Sequence, residues 1–231
     1  MSGRLKLFTL LGAIALSGIA ASNAAAADNV EASPVCCTFT TGAFFQDQGE
    51  IPDFINPADS DAPHNVTSEG SGPDKGPIFE SQTIFGGASS PINGAQYLGA
   101  GSYPFVCTIH TGMSGDLVVE DKGTPAARPS LRLSIPSQSL KKIKKSGKVK
   151  VKVKASSQSN GVRVGLLKGK KKVSKQSKLN LSAGKSKTVP IKLNGAGRKA
   201  VKKVKKGKKL KLSASLTVPF GKPAKVNKSL R

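Results

Sequence analysis

The stretch Tyr103–Met113 limits what this chain can fold into more than any other part of the sequence. It reads Tyr103-Pro-Phe-Val-Cys107-Thr-Ile-His110-Thr-Gly-Met113. Tyr103, Phe105 and Cys107 alternate with period two, so an extended strand would place them on one face. A tight loop follows, and it offers a thiol, an imidazole and a thioether at the spacing C-x2-H-x2-M. The stretch therefore predicts a strand that leads into a loop rich in metal donors.

Those donors are the ones that a copper ion prefers. Thiolate and thioether sulfur suit Cu(I), while imidazole suits both Cu(I) and Cu(II). A type 1 site combines two histidines and a cysteine in one plane with a weak axial methionine. The chain has only two histidines, so the second one has to be His64. The sequence thus predicts one type 1 copper ion bound by His64, Cys107, His110 and Met113.

Other uses of these side chains fit the sequence less well. A lone cysteine or methionine most often fills space in an apolar core. A Cys/His pair can be a thiol nucleophile with its base, but no thiol-protease signature surrounds Cys107 or His110. Structural zinc sites pair C-x2-C with H-x3-5-H, and neither pairing occurs. We therefore expect a metal site and no enzyme.

On these residues the chain resembles the cupredoxin family, which includes plastocyanin and amicyanin. The ligand loop with the following segment 114–119 is similar to the short ligand loop of amicyanin, and Pro63-His64-Asn65-Val66 is similar to the family's upstream ligand segment. The resemblance covers about residues 40–121. It implies a Greek-key β-sandwich that carries single electrons. It also implies that Asn65 ties the two ligand loops together and that His110 passes the electron.

Residues 1–27 have the order of a secretory signal peptide. Arg4 and Lys6 form a basic start, and an apolar run from Leu7 to Ala21 leads to small residues before Asp28. The run is too short to favour a stable membrane span. The sequence therefore predicts an exported protein that is periplasmic, attached to the cell envelope or extracellular.

The charge of the chain changes sign at one point. All 13 acidic residues lie between Asp28 and Asp121, where Lys75 is the only base, so this part has a net charge of −12. From Lys122 onward there is no acidic residue, and 34 of the 37 basic residues lie there. Such a switch marks a domain boundary, and the Pro- and Gly-containing segment 122–128 is typical of a linker. We predict domains at 28–121 and 129–231.

Both domains are predicted to be all-β. Residues 28–121 mix short apolar runs with turn residues and show no helical stripe, which is typical of a β-sandwich, with loops at 70–76 and 86–101. In 129–231, the alternating segments 148–154 and 210–214 indicate half-buried strands with lysine outward. The segment 140–145 recurs at 201–206, and the repeat suggests two helical turns in an immunoglobulin-like sandwich. Disorder of this lysine-rich part is the alternative.

Cys36 and Cys37 are adjacent in a strand-like run from Val35 to Thr40. Neighbouring side chains of a strand point to opposite faces, so this pair is poorly placed to bind one metal ion together. We expect buried, unlinked thiols. A vicinal disulfide, which an oxidising compartment permits, is the alternative.

Three classes of function are compatible with these observations. The complete donor set favours an exported one-electron carrier that serves a redox partner protein, with Met113 adjusting the copper potential. A copper storage or delivery protein and an envelope-binding structural protein are the alternatives. The basic domain would anchor the copper domain to anionic cell-envelope polymers or lipid headgroups. Its charge also suits nucleic acid, but export argues against that partner.

Overall fold

The structure is a computed structural model that describes residues 27–205 and 207–231. The predicted signal peptide therefore lies, up to residue 26, outside the described residues. The described chain consists mainly of β-strands, which confirms the all-β prediction. It contains two separate apolar clusters, one between Val30 and Val119 and one between Leu131 and Leu230. The predicted domain boundaries are compatible with these clusters and stay predictions.

Two sheets enclose the first cluster. Their strands are β1 (Val30–Glu31), β2 (Ala43–Gln48), β3 (Asp53–Asn56), β4 (Thr67–Ser68), β5 (Ala88–Pro91), β6 (Gly101–Val106) and β7 (Ser114–Gly123), with a 3-10 helix at Ala95–Tyr97. One sheet has the order β1-β3-β5 and the other β2-β7-β6-β4. Phe44, Phe54 and Phe105 come from three different strands and are all buried, so aromatic rings fill much of the space between the sheets.

The hairpin of β6 and β7 carries the predicted ligand loop. The two strands are antiparallel, with Val106 opposite Ser114 and Gly101 opposite Val119. The loop 107–113 therefore joins them at one end, which we call the loop end. The chain leaves β7 at the opposite end, at Gly123. The six residues of β6, at about 3.3 Å each, separate the two ends by about 20 Å.

The C-terminal part also has two sheets around one cluster. Its elements are β8 (Leu131–Ser134), α1 (Leu140–Ser146), β9 (Lys148–Ala155), β10 (Ser159–Lys168), β11 (Lys171–Lys172), β12 (Ser177–Leu181), β13 (Ser186–Lys192), α2 (Gly195–Lys202), β14 (Leu210–Thr217) and β15 (Ala224–Leu230). One sheet has the order β13-β9-β8. The other has the order β11-β10-β14-β15, and β12 also pairs with β10. Strict alternation of buried and exposed residues along β9 agrees with the predicted pattern.

Two sequence predictions about local structure are wrong in part. The described part of the repeated segment, 201–205, is not a second helical turn in register with α1, because α2 begins at Gly195. The Asn194 side chain caps α2 there by accepting a hydrogen bond from Gly197 N–H at 2.9 Å. The predicted loop 86–101 contains β5 and the 3-10 helix, since β5 pairs with β3. The described residues of 129–231 form strands and helices, so the disorder alternative does not hold for them.

No helix in the described part of the chain combines the length and the apolar character that a membrane span requires.

Candidate metal centre

His64 is held in place by its own backbone. Its N–H donates to the carbonyl of Ile84 and its carbonyl accepts from Ile84 N–H, both at 3.0 Å. The side chain is fully buried. Burial lowers the pKa of His64, and the charge that His110 can carry lowers that pKa further. The imidazole is therefore favoured in its neutral form, which is the form that binds a metal ion.

Cys107 and His110 are positioned by a closed loop. The N–H of Cys107 donates to the carbonyl of Met113 at 2.9 Å, and the N–H of Met113 donates to the carbonyl of His110 at 3.3 Å. Cys107 is a free, buried thiol, and the Met113 side chain is buried in the same apolar cluster. His110 is half-buried. The loop thus presents its imidazole nearer to solvent than its thiol.

Three of the four predicted ligands come together in a triangle. The Nδ1 atoms of His64 and His110 lie 3.1 Å apart, and each lies 3.8 Å from the Sγ of Cys107. The point equidistant from the three atoms is about 2.1 Å from each. Typical metal–nitrogen bonds are about 2.0–2.1 Å and metal–sulfur bonds about 2.3 Å. The triangle therefore has the size that one metal ion requires.

The donor chemistry of this triangle fits copper. Two imidazole nitrogens and one thiolate, with a buried thioether from Met113 in the same cluster, are soft or borderline donors. No carboxylate joins the group that His64, Cys107 and His110 form among the described residues. Calcium and magnesium prefer oxygen ligands and would be poorly bound here.

Asn65 ties the two ligand segments together, as the resemblance implied. Its Oδ1 accepts from the N–H of Thr108 at 2.9 Å, and its Nδ2 donates to the Oγ1 of Thr108 at 2.8 Å. A further bond from Nδ2 reaches the Oγ1 of Thr83 at 3.1 Å. Because Asn65 follows one ligand and Thr108 follows another, these bonds set the spacing between His64 and Cys107.

Comparisons with known proteins found similarity in solved structures alone. A reduced copper(I) form of an amicyanin variant is 22% identical over 43% of this chain and 88% of its own, with a TM-score of 0.34. A reduced tryptophan-to-tyrosine variant of amicyanin is 23% identical over the same shares, also with a TM-score of 0.34. No protein-family model matches the sequence, and the comparison with curated proteins found no match. At these values the chemistry of the site has to be argued from its own residues.

The prediction for Cys36 and Cys37 is wrong. The two residues are joined by a disulfide, and they lie in a turn with Cys36 exposed and Cys37 half-buried. The chain reverses here because Ala32 pairs with Phe39. In a turn, neighbouring side chains can point the same way, and one donor atom from each cysteine lies within 4.8 Å of a ring nitrogen of His110. Ser33-Pro34, just before the pair, is the sequence signal that could have indicated this reversal.

Three exposed apolar side chains belong to the segments that build the site. Val35 is 77% exposed and precedes the cysteine pair, Phe85 is 70% exposed and follows the bridge partner of His64, and Ile109 is 43% exposed and precedes His110. We call these three residues the apolar collar. Ile109 lies in the ligand loop itself, so its place beside His110 follows from the sequence. The place of Phe85 depends on the bridge between His64 and Ile84, so the sequence alone could not indicate it.

Proposed function

We propose that this protein is an exported one-electron carrier whose residues 28–121 form a cupredoxin-like unit for one copper ion. His64, Cys107 and His110 would bind the ion, with Met113 as a weak fourth ligand. The observation that carries the proposal is the triangle of two nitrogens and one sulfur, which two separate chain segments build at metal-binding distances.

Bound copper would supply a one-electron change between Cu(I) and Cu(II). The chain contributes a donor set that both oxidation states accept. Hydrogen bonds of Asn65 and the closed loop 107–113 restrict movement of the donors. His64 and Cys107 are buried, which keeps water away from them. Such a site rearranges little when the copper ion changes its oxidation state, so the barrier to electron transfer is low.

The burial of the donors favours an electron carrier over a storage or delivery protein. Delivery requires that a receiving molecule reach and replace the ligands. His64 and Cys107 are inaccessible, and His110 is the one triangle member with partial exposure. This arrangement suits the passage of an electron through the His110 ring better than the release of an ion.

The apolar collar suggests where the redox partner protein docks. Val35, Phe85 and Ile109 present apolar surface on the segments that surround His110. Transient electron-transfer complexes use small interfaces that separate quickly. A partner with a matching apolar patch would bring its own redox centre close to the half-buried ring.

Visible absorption after addition of Cu(II) to the full chain tests the proposed copper site. A thiolate-bound Cu(II) at this triangle should give an intense blue to green colour, and Cys107→Ser should abolish it. The double variant Cys36→Ser/Cys37→Ser is the matched control, since it removes sulfur near His110 and should keep the colour. A colourless Cu(II) complex of the unmutated protein would refute the type 1 assignment.

We also propose that the C-terminal part anchors the protein to an anionic surface. One face of the sheet β13-β9-β8 carries six exposed cations, which we call the lysine face: Lys148, Lys150, Lys152, Lys154, Arg132 and Lys192. Successive lysines of β9 are about 7 Å apart, so they repel one another. Among the described residues, the single ion pair joins Lys122 to Glu120, and no lysine of this face meets an acid of residues 28–121. The lysine face is therefore available to an external polyanion.

The contacts between the two parts lie away from the copper ligands. Arg128 donates hydrogen bonds to the carbonyls of Tyr97 and Phe220, both at 3.3 Å, and the N–H of Phe220 donates to Asp74 Oδ2 at 3.2 Å. Tyr97 comes before the start of β6, so these contacts lie at the end of the hairpin opposite the loop end. A protein held to a surface through its C-terminal part would keep the His110 side free for a partner.

A further inference from the structure

The turn that contains Cys36 and Cys37 is a second place where metal donors meet. Ser33 N–H donates to the carbonyl of Thr38 at 2.9 Å and Thr40 N–H donates to that of Glu31 at 2.9 Å, so the turn closes a small hairpin. At its base Phe39 is buried, and its ring packs edge-on against Phe105 with ring centroids 5.0 Å apart. The turn is thus fixed to the core that also holds Cys107.

We propose that Cys36, Cys37 and His110 form a second site for a soft metal ion, of the Cu(I) class, which is open when the disulfide is reduced. One donor atom from each of these residues lies within 4.8 Å of the other two. A three-coordinate ion about 2.3 Å from each sulfur needs donor atoms about 4 Å apart. Reduction therefore has to let the two bonded sulfurs separate, while His110 stays within reach of both. Two thiolates and an imidazole are the donors that Cu(I) prefers. Neither His64 nor Cys107 takes part, so the inference goes beyond the proposed function.

The two donor groups form a gradient from solvent to core. Cys36 is exposed, Cys37 and His110 are half-buried, and His64 and Cys107 are buried. The His110 ring belongs to both groups, and its Nδ1 faces the inner triangle. An ion that arrives from solvent therefore meets the outer group first. This position suits a site that receives a reduced soft metal ion at the mouth of the inner triangle.

The oxidation state of the cysteine pair controls the outer site. As a disulfide, the two sulfurs carry no thiolate charge and bind a metal ion weakly. Reduction by a thiol or phosphine adds two electrons and two protons and yields two thiols. A phosphine takes the oxygen of one water molecule in this step and becomes the phosphine oxide. Binding of Cu(I) as a bis-thiolate then releases the two thiol protons. A neutral imidazole has one lone pair to give, so when His110 Nδ1 binds an inner ion the two thiolates alone hold the outer ion. Exposure of Cys36 makes the disulfide accessible to such a reductant.

The test counts Cu(I) ions bound by the full chain without oxygen, in competition with a coloured Cu(I) chelator. A phosphine reductant that is removed before the titration avoids competing thiols. The oxidised protein should bind one ion and the phosphine-reduced protein two. The reduced double variant Cys36→Ser/Cys37→Ser should bind one ion. Thr38→Ser is the matched control in the same turn, since the Thr38 side chain is exposed and has no assigned role, and this variant should bind two ions when reduced.

The reduced Cys107→Ser variant separates this inference from the proposed function. It should bind one Cu(I), at the outer site. Its oxidised form should bind none, measured at a chelator concentration at which the outer site of the reduced variant still keeps its ion. If the reduced protein and the reduced double cysteine variant bind the same number of ions, the outer site does not exist. Loss of folding in the double variant would show as loss of the visible Cu(II) band. In that case the single variant Cys36→Ser decides, since a second ion bound as tightly as in the unmutated protein would overturn the proposal.

Discussion

Asn65 is the residue on which the geometry of the triangle depends most. Its side chain connects the segment after His64 to the segment after Cys107 through two hydrogen bonds to Thr108. It is buried, so water cannot easily replace it. Each of these two hydrogen bonds contributes about 0.5–1.5 kcal/mol, so their joint loss costs about 1–3 kcal/mol.

We expect Asn65→Ala to lower the free energy of unfolding by about 1–3 kcal/mol and the copper affinity by about 10- to 100-fold. Chemical denaturation of the copper-free protein and competition with a chelator measure the two effects. Thr83→Val is the control, because it removes one acceptor of Asn65 and keeps both bonds to Thr108. Equal copper affinity in Asn65→Ala and the unmutated protein would contradict the role of Asn65.

Side-chain distances define the triangle of His64, Cys107 and His110. Met113 is connected to that triangle in another way, through its burial and through the backbone hydrogen bonds of the loop. If its thioether is a weak ligand, Met113→Gln should retain the colour and lower the reduction potential, since an amide oxygen favours Cu(II) over Cu(I). Each tenfold gain in preference for Cu(II) lowers the potential by about 59 mV. Cyclic voltammetry measures the shift, and an unchanged potential would place Met113 outside the ligand set.

At the scale of elements, the β6–β7 hairpin separates the place of electron exchange from the place where the two parts of the chain meet. The apolar collar belongs to segments at the loop end, while the linker follows the other end. Surface changes at the two ends should therefore have different effects, and this difference can be measured.

Ile109→Glu should slow electron self-exchange between two copies of the protein without changing the visible spectrum. Two like charges brought together at the docking surface cost about 1–4 kcal/mol, and about 1.4 kcal/mol suffices for a tenfold slower rate. Ile51→Glu is the matched control, since Ile51 is similarly exposed and follows β2, which runs parallel to β7 away from the loop end. Line broadening in NMR spectra of mixed oxidation states gives the rate. Equal slowing by both variants would contradict the docking surface.

For the whole molecule, the distribution of charge suggests one orientation. Residues 28–121 are acidic and residues 129–231 are basic. The contacts between the two parts involve Arg128, Tyr97 and Phe220, without an ion pair to the lysine face. Attraction of the lysine face to an anionic surface would hold the acidic domain farther out. Repulsion of that domain by the same surface would reinforce this orientation.

Replacement of Lys148, Lys150, Lys152 and Lys154 by Gln should weaken binding of the full chain to vesicles with anionic headgroups. At about 1 kcal/mol for each lysine near the surface, the loss is about 4 kcal/mol, or about 1000-fold in affinity. Binding of the unmutated protein should also fall steeply with salt, because the Debye length shrinks from about 30 Å at 0.01 M to about 3 Å at 1 M.

The control for the lysine face removes the same charge elsewhere. Replacement of Lys168, Lys170, Lys171 and Lys172 by Gln changes exposed lysines at the β10–β11 turn. It should weaken vesicle binding much less than the β9 variant. A soluble anionic polymer and duplex nucleic acid, tested in parallel, distinguish a lipid headgroup from other polyanions. Equal losses in the two variants, or binding that ignores salt, would contradict an anchor through this face.

The sequence by itself determined the features that depend on neighbouring residues. Period-two alternation predicted β9 and β14, because a strand buries every second side chain. The spacing from Cys107 to Met113 predicted three donors in one loop, and the count of histidines added His64. The change of charge at Lys122 predicts two domains, and this division stays a prediction. Each of these features can be recognised within a short stretch or by counting.

Tertiary structure alone decided the features that depend on distant residues. The bridge from His64 to Ile84 brings Phe85 to the site, and the pairing of Ala32 with Phe39 turns Cys36 and Cys37 toward His110. Pairing with β3 makes a strand of β5, within a segment whose composition predicts a loop. These pairings join residues 7 to 38 positions apart. Their free energy comes from contacts between segments, and no periodic pattern within one segment records such contacts. For this reason the sequence could indicate that His64, Cys107 and His110 come together, whereas it could not indicate the outer group of donors.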